Sequence, residues 1–341
     1  MRIEQLGRGG PLVSELALGT MTFGVETDEA ESRRQLDTFV EAGGTFVDTA
    51  DGYGAGESER IIGRWLASNR PDDLILATKG RFMPPGGSSG ASRRGISMAI
   101  DASLDRLGVD TIDLYFVHGW DPQAPVEDTL AALTDAVQAG KIHHVGWSNT
   151  TSWQFQRILD TARYEGFVRP IVHQPQYNLL DRTIEWELLP LLVDQGIAVT
   201  PWSPLGGGWL TGKYRRDETP SGATRLGEDP NRGVEAWGKR NDDRTWAIVD
   251  AAQAVADEAG RWIGEVALRW LLQRPAVVSV LLGARTVAQL EQSLAAATMP
   301  ELSTEAMATL TEVSAPGLPD YPYGMQRDWC GVGIWNELGT A

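Results

Sequence analysis

Eight short runs of apolar and β-branched residues recur along the chain, each followed by a segment with helical spacing. The runs read SELALGT, GGTFVDTA, DLILATKG, TIDLYFVHG, KIHHVGWSN, RPIVHQPQ, GIAVTPWSP and AVVSVLLGAR. Amphipathic stretches between them include 28–42, 92–107, 128–139, 153–164 and 184–195. Apolar strands that alternate with helices form parallel sheets, and eight units at roughly 30-residue spacing are typical of a closed (β/α)8 barrel, the TIM barrel.

The length of 341 residues alone leaves one or two domains open, and the eight repeated units favour one α/β barrel over 1–341. We expect a β-hairpin ahead of the barrel, a long loop over 205–241 after barrel strand seven, and an irregular C-terminal segment after Pro316. That segment is aromatic, with Tyr321, Tyr323, Trp329 and Trp335. A doubly wound open sheet is the competing fold. It usually carries G-x-G-x-x-G after its first strand, and ELALGTMTFG lacks that motif.

Composition excludes several classes of protein. Hydrophobic residues make up 42% and charged residues 22%, so the chain can bury a large core. A formal net charge of -16 repels nucleic acid and acidic membranes. No apolar run is long enough to span a membrane and MRIEQLGRGG does not resemble a secretion signal, so we expect a cytoplasmic protein. Cys330 is the only cysteine, which excludes an intrachain disulfide and a cysteine metal cluster.

Two motifs resemble binding sites but lack an essential feature. GGWLTGKY, from Gly207, is close to a phosphate-binding P-loop, but Tyr214 stands where a hydroxyl should bind magnesium. His143 and His144 are adjacent, and adjacent strand residues face opposite sides of a sheet, so a metal pair is not expected.

Four complementary ionisable side chains follow three successive predicted strands. They are Asp48, Tyr53 in the loop after it, Lys79 and His118. In a parallel barrel the C-terminal strand ends converge on one face, where the chemistry of such enzymes lies. A lysine charge should lower the pKa of Tyr53 and help it to donate a proton, and Asp48 should hold the lysine in place. Taken singly, each residue could instead be a cap, a packed aromatic, a strand-end lysine or a loop histidine.

The chain resembles the aldo-keto reductase superfamily over nearly its whole length. The matching segments, in order, are LGTMTFG, FVDTADGYGAGESER, LATKG, LYFVHGWD, GKIHHVGWSN, HQPQYNLLDR, TPWSPLGGGWLTGKY and LLGARTVAQLEQSLAA. The resemblance implies an NADPH-dependent carbonyl reduction of the alcohol dehydrogenase type on a TIM barrel, with no metal. Asp48, Tyr53, Lys79 and His118 match its catalytic tetrad. Tyr53 would donate the proton and His118 would orient the carbonyl oxygen.

The same resemblance implies a set of cofactor-binding residues. Ser148, Asn149 and Gln174 match positions that hold the nicotinamide carboxamide, and Trp202 stands where a relative's tyrosine stacks on the ring. Arg285 and Gln289 match the adenosine phosphate end. Other matching positions, in the strand ends and the loop that wraps the pyrophosphate, are Gly19, Thr20, Met21, Asp48, Ser203, Pro204, Leu205, Gly208, Leu210, Lys213 and Gly283. Ser293 replaces a common asparagine near the adenine, and Gln292 a common glutamate, which weakens the adenine contacts and the preference for NADPH over NADH.

A small carbonyl compound is the expected partner, and aromatic side chains are the candidates for its pocket. Besides Tyr53 and His118 they are Phe23, Phe82, Trp120, Trp209 and the aromatics of the C-terminal segment. Aldehydes, ketones and keto sugars all remain open, and so does the oligomeric state. The alternative function is a nicotinamide-binding regulatory subunit with little turnover, because potassium-channel beta subunits share this tetrad. Metal-assisted hydrolysis is disfavoured by the few histidines.

Overall fold

The computed structural model describes residues 1–69, 71–82 and 90–330, and Trp335 lies outside these ranges. The chain begins with a hairpin of two antiparallel strands, β1 (Ile3–Gln5) and β2 (Leu12–Ser14). This confirms the predicted N-terminal hairpin. Leu6 and Val13 from the hairpin are fully buried against the side chains inside the following sheet, so the hairpin covers the N-terminal end of the barrel.

The eight predicted strands form one parallel sheet. They are β3 (Leu16–Gly19), β4 (Phe46–Asp48), β5 (Ile75–Gly80), β6 (Ile112–Val117), β7 (Ile142–Ser148), β8 (Val172–Gln174), β9 (Ala198–Val199) and β10 (Val280–Gly283). They pair in the order β10-β3-β4-β5-β6-β7-β8-β9. The ring closes through Val199, whose amide donates to the Ala276 carbonyl at 2.7 Å and whose carbonyl accepts from the Val278 amide at 3.0 Å. The predicted (β/α)8 barrel is confirmed.

Helices follow the strands and cover the outside of the sheet. They are α1 (Glu29–Glu41), α2 (Glu57–Asn69), α3 (Arg93–Leu107), α4 (Val126–Gln138), α5 (Ser152–Glu165), α6 (Leu188–Asp194), α7 (Arg225–Glu228), α8 (Trp237–Arg240), α9 (Asp243–Ala259), α10 (Ile263–Leu272), α11 (Val287–Leu294), α12 (Thr304–Val313) and α13 (Met325–Cys330). Helix α3 shows why the bounds fall where they do. The Ser92 side chain accepts from the Gly95 amide at its start, and Gly108 ends it with a left-handed φ of 65°.

Two groups of buried side chains fill the protein. The larger lies between the strands and the helices. The smaller fills the inside of the barrel. Its strand members are Ala17, Phe46, Ala77, Leu114, Phe116, Val172, Ala198 and Leu281. Since side chains alternate along a strand, residues two positions beyond these face the barrel axis at its C-terminal mouth.

The long loop over 205–241 is more ordered than its composition predicts. It contains a 3-10 turn at Gly206–Thr211 and the short helices α7 and α8. The C-terminal segment also differs from the irregular prediction, because residues 320–330 form a π-turn and helix α13. There, Tyr323 donates to Glu187 Oε1 at 2.7 Å and packs on Trp186. Local hydrogen bonds and aromatic contacts between distant residues supply the order that composition does not reveal.

Within the described ranges, none of the helices combines the length and the apolar character that crossing a bilayer requires.

Candidate active site

The barrel mouth collects the polar side chains that the strand pattern predicted. Four of these side chains belong to strand ends. Each of the four lies two residues beyond a side chain of the barrel interior, so it points inward. The pairs are Phe46 and Asp48, Ala77 and Lys79, Phe116 and His118, and Val172 and Gln174. Asp48 and Lys79 are almost completely buried. The interior side chains therefore form the floor of a site whose walls are polar.

Lys79 is the centre of this site. Its Nζ donates to Asp48 Oδ1, to the Thr49 carbonyl at 2.8 Å and to the Tyr53 hydroxyl at 3.4 Å. Three acceptors match the three protons of an ammonium group. Burial lowers the pKa of Lys79, but the charge of Asp48 and the hydrogen bonds to Asp48 and Tyr53 outweigh burial, and the pKa lies above its ordinary value. Lys79 is therefore charged.

Asp48 is itself held from two sides, by Lys79 and by Gln174. Its Oδ1 pairs with Lys79, and its Oδ2 accepts from Gln174 Nε2 at 3.0 Å. Burial raises the pKa of Asp48, and the Lys79 charge opposes that rise. With both carboxylate oxygens bonded, the carboxylate and the ammonium form a buried ion pair whose remaining hydrogen-bond positions are filled.

Tyr53 enters the site from the turn after β4. The turn runs over Tyr53–Gly56, and Ala55 takes a left-handed φ of 54°, which few residues other than glycine adopt. This tight path returns Tyr53 towards the barrel axis, with Lys79 Nζ 5.0 Å from its ring centre. The ring meets His118 edge to face at 5.9 Å between centroids. The structure thus brings Asp48, Tyr53, Lys79 and His118 together.

The prediction that the pKa of Tyr53 is lowered is wrong for this structure. Burial raises the pKa of Tyr53, the Lys79 charge opposes the rise, and the Asp48 charge adds to it, with a net increase above the ordinary value. The sequence suggested the lysine but not that the burial of part of Tyr53 outweighs the lysine charge. Tyr53 consequently carries its proton at neutral pH.

His118 is neutral. Burial, followed by the charges of Lys79 and Arg81, lowers the pKa of His118 to about 3. Its Nδ1 is buried and has no hydrogen-bond partner among the described residues. A neutral imidazole can donate one hydrogen bond but is not a proton source at physiological pH.

The residues expected at the nicotinamide line the mouth beside the tetrad, and they bond to one another. Ser148 Oγ donates to the Gln174 carbonyl at 2.6 Å. Asn149, with a left-handed φ of 54°, donates from Nδ2 to the His118 carbonyl at 2.9 Å and accepts from Trp202 Nε1 at 3.1 Å. These contacts fix the edge of the Trp202 indole, which is half-buried and packs against the side chains inside the barrel.

Small residues at the ends of neighbouring strands line the barrel mouth beside Asp48. Gly19 pairs with both Asp48 and Gly283 in the sheet, and a side chain at Gly283 would meet open space. Thr20 is buried and donates from its hydroxyl to the Asp48 carbonyl at 3.0 Å, whereas Met21 is 40% exposed. Small residues at this position leave room for a flat ligand to approach the backbone.

The loop expected at the pyrophosphate folds over the mouth. Ser203, Gly206, Gly207 and Gly208 all have left-handed φ values, so the backbone turns back on itself. Pro204 and Leu210 are buried and Leu205 is half-buried. Ser203 Oγ bonds to the buried Glu235. The loop is therefore anchored by its own contacts.

Lys213 is the free cation of this loop. In the described ranges it makes no ion pair, and its Nζ lies 5.2 Å from the Tyr214 ring centre. Partial burial, then Arg285 and Arg225, lower the pKa of Lys213. A cation held near two other cations is a suitable neighbour for a phosphate.

The residues expected at the adenosine phosphate are bonded within the protein. Arg285 pairs with Glu228 at 2.7 and 2.8 Å, and its NH2 lies 3.3 Å from Glu26 Oε1. Its amide donates to Gln289 Oε1 at 2.9 Å. Ser293 is buried and its hydroxyl donates back to the Gln289 carbonyl at 3.1 Å. Any phosphate that reaches Arg285 competes with two carboxylates that the sequence did not indicate.

The predicted pocket aromatics divide into two groups. Phe82 is 51% exposed, stands 5.0 Å from His118 between ring centres, and neighbours the half-buried Trp120. Phe23 and Trp209, in contrast, are 0% and 1% exposed. Trp209 stacks on Trp237 and donates to the Glu235 carbonyl at 2.9 Å. Phe23 and Trp209 are core residues in this structure, and we do not place them in the pocket.

Sequence reasoning missed several residues that support the mouth. The Ser58 hydroxyl links Thr20 and Thr49 at 2.9 Å each. Asp51 is 1% exposed, and within the described residues neither of its carboxylate oxygens makes a geometrically complete hydrogen bond. Burial, followed by Glu59, raises its pKa to about 7. The motif DTADGYG contains Asp51, but nothing in the motif indicates burial of its side chain.

The expectation that His143 and His144 do not form a metal site remains a prediction. His143 is exposed beside Asp113, while His144 is half-buried. Within 1–69, 71–82 and 90–330, no three histidine, cysteine or acidic side chains lie in an arrangement that could hold a metal.

Comparison with known proteins shows the family to which this chain belongs. The family model for the aldo/keto reductases matches residues 15–315. An uncharacterized oxidoreductase, YrpG, of Bacillus subtilis is 34% identical, over 92% of this chain and 96% of its own length. A probable voltage-gated potassium channel subunit beta of Arabidopsis thaliana is 31% identical (94% and 99%), and the L-glyceraldehyde 3-phosphate reductase of Escherichia coli K12 is also 31% identical (93% and 93%). The chain belongs to the aldo/keto reductase family.

Proposed function

We propose that this protein reduces an aldehyde or ketone to the alcohol with NADPH. The carrying observation is the Tyr53 hydroxyl 3.4 Å from the buried Lys79 ammonium, at a mouth that also holds a neutral histidine. A reduced nicotinamide would supply the hydride to the carbonyl carbon. The carbonyl oxygen then needs one proton, and the products are the alcohol and the oxidised nicotinamide.

Tyr53 is the proton donor in this proposal. Its oxygen accepts a hydrogen bond from Lys79, so its own proton is free to point at a substrate oxygen. As the proton leaves, negative charge develops on the Tyr53 oxygen beside an ammonium that is fully buried and fixed by its hydrogen bonds. Preorganised charge of this kind stabilises the transition state more strongly than in solvent. Asp48 keeps Lys79 in position during the step.

His118 has an orienting role. With a pKa of about 3 it stays neutral, so it offers an N–H to the carbonyl oxygen without competing with Tyr53 as the acid. The hydrogen bond from Asn149 to the His118 carbonyl holds the backbone at this strand end. Tyr53 and His118 thus approach the same oxygen from two sides.

The residues at the mouth suit a nicotinamide dinucleotide. Trp202 offers a half-buried aromatic face, and Ser148, Asn149 and Gln174 offer amide and hydroxyl groups beside it. Lys213 offers a cation without a carboxylate partner in the described chain. Arg285 offers a guanidinium for the 2'-phosphate, once Glu228 and Glu26 give way. No metal takes part in the proposal.

The test is a panel of carbonyl compounds, including nitrobenzaldehyde and keto sugars, followed by the loss of reduced nicotinamide absorbance. We expect turnover by the natural protein and a loss of about 100-fold or more in Tyr53→Phe, because that variant keeps the ring and removes the proton. Binding of NADPH, read from quenching of tryptophan fluorescence, should be unchanged. Full activity in Tyr53→Phe would refute the assignment of the donor.

A regulatory subunit is the second candidate, and the relatives named as potassium channel subunits are the observation that favours it. It shares the nicotinamide site with the first candidate but needs no substrate. Tight NADPH binding with no turnover on the whole panel would support it over the reductase.

A further inference from the structure

One cation at the barrel mouth has no function in the proposal above. Arg81 stands two residues beyond Lys79, just past the end of β5, with an unusual φ of 130°. Its NH2 donates to the Trp120 carbonyl at 2.6 Å. Its guanidinium carbon lies 4.5 Å from the centre of the Phe82 ring, which in turn lies 5.0 Å from His118. The arginine is therefore close to the reacting centre.

Arg81 also differs from the other arginines that border the barrel mouth. Arg225, Arg232 and Arg285 each pair with a glutamate. Arg81 has no carboxylate partner in the described ranges, and its Nε is buried without a hydrogen bond. The nearby Asp121 is already bonded to the amides of Ala91 and Gln123. Arg81 is thus a cation beside the mouth whose charge is not neutralised by a described carboxylate.

The side chains around Arg81 form an aromatic surface. Phe82 is 51% exposed, and Trp120 meets the 61% exposed Trp153 at 5.6 Å between ring centres. Flat apolar surface beside an unpaired guanidinium fits a ligand that has both an apolar body and an anionic end. The Trp120 carbonyl accepts from NH2, Nε is buried, and NH1 makes no hydrogen bond among the described residues.

We propose that Arg81 binds an anionic group of the substrate, so that this enzyme prefers carbonyl compounds that carry a carboxylate or phosphate a few bonds from the carbonyl. The inference rests on the proposed carbonyl reduction and names the substrate class of the same site. Phe82 and Trp120 contact the body of the substrate, and Tyr53 and His118 contact its carbonyl oxygen. Arg81 determines specificity and takes no part in the proton transfer.

A matched pair of aldehydes tests the proposal. 4-Carboxybenzaldehyde and methyl 4-formylbenzoate have the same ring and carbonyl but differ in charge. We expect the natural protein to favour the carboxylate by about tenfold or more in kcat/KM, as one charge-assisted hydrogen-bonded pair provides. Arg81→Met should lose that preference while its rate with the ester stays within about twofold, and Arg81→Lys should recover part of it.

Arg93→Met is the control, since it removes the same charge from an exposed position at the start of α3. It should leave the preference unchanged. The inference is overturned if natural protein and Arg81→Met show the same ratio between the two aldehydes. Far-ultraviolet circular dichroism and melting temperature verify that each variant is folded.

A binding measurement separates this inference from the proposed function. 4-(Hydroxymethyl)benzoate is titrated calorimetrically into protein saturated with the oxidised nicotinamide dinucleotide. This measurement reports binding and does not depend on aldehyde reduction. We expect Arg81→Met to bind it at least about tenfold more weakly than the natural protein. Equal binding, or none by either protein, overturns the role of Arg81. Absent turnover with all aldehydes overturns the reductase proposal instead.

Discussion

The tetrad and the adenosine end of the mouth carry similar ionic groups in very different settings. The Lys79–Asp48 pair is 0% and 1% exposed, whereas Arg285 and Glu228 are 18% and 47% exposed. Lys79 has three acceptors on strand β4 and the turn that follows it, and Asp48 has a second donor from Gln174. Arg285 meets Glu228 from the long loop and Glu26 from the loop after β3.

The difference in exposure indicates that the Lys79–Asp48 pair is fixed, whereas Arg285 can exchange its partners. A buried pair with its hydrogen bonds filled is costly to break, because removing one partner leaves an uncompensated charge. A surface pair contributes little to stability and is weakened by salt. The fold itself therefore holds Asp48 and Lys79 in place, and we propose that a phosphate replaces the carboxylate contacts of Arg285.

The largest expected effect comes from breaking the buried pair. Lys79→Met leaves Asp48 unpaired and should cost about 3–5 kcal/mol of the free energy of unfolding. Activity should fall by about 1,000-fold or more, because Tyr53 loses its charge partner. Urea denaturation and nicotinamide absorbance measure the two effects. Lys141→Met, which breaks the exposed pair with Asp101, should change stability by less than about 1 kcal/mol. A similar small change in Lys79→Met would contradict the comparison.

The second effect concerns the buried carboxyl beneath the Tyr53 turn. The pKa of Asp51 is about 7 in the fold against 3.8 for an ordinary aspartate, so the folded state holds the proton more tightly. The free energy of unfolding should therefore fall as pH rises from about 4 to about 7, by up to about 4 kcal/mol. Asp51→Asn removes the titrating carboxyl group and with it this fall in the free energy of unfolding. Its stability relative to the natural protein should increase over that window.

Urea denaturation of both proteins at pH 5 and pH 8 measures the difference. Asp110→Asn, at an exposed position, is the control and should give the same stability difference from the natural protein at both pH values. A gain from Asp51→Asn that does not depend on pH would mean that the carboxyl is ionised throughout.

A third, smaller effect tests the adenosine end. Arg285→Ala should weaken NADPH binding by about tenfold to 100-fold and leave NADH binding nearly unchanged, since only NADPH carries the 2'-phosphate. Fluorescence titration with both cofactors measures this, and Arg285→Lys should show an intermediate loss. Equal losses for NADPH and NADH would remove Arg285 from cofactor choice.

The smallest effect should come from the carboxylate that covers Arg285. Glu228→Gln frees the guanidinium from a competitor and should tighten NADPH binding by no more than about fivefold at low salt, with little change at high salt. Titration at two salt concentrations measures it. Weaker NADPH binding in Glu228→Gln would show that the glutamate supports the site.

The sequence by itself was sufficient to predict the barrel and the meeting of the tetrad. Eight apolar runs predicted the strands, and the convergence of parallel strand ends on one face predicted that Asp48, Lys79 and His118 meet. Those features are local, because strand spacing and side-chain alternation depend only on neighbouring residues. The hairpin followed from the same kind of pattern.

Tertiary structure decided the rest, because burial and ion pairing depend on residues far apart in the chain. The sequence suggested Phe23 and Trp209 as pocket residues, but both are buried in the core of the folded protein. The net pKa of Tyr53 follows from the removal of its hydroxyl from water, which no motif records. Glu26 reaches Arg285 across 259 positions. Arg81 is one arginine among many in the sequence, and only the folded protein places its guanidinium over the Phe82 ring with no carboxylate partner among the described residues.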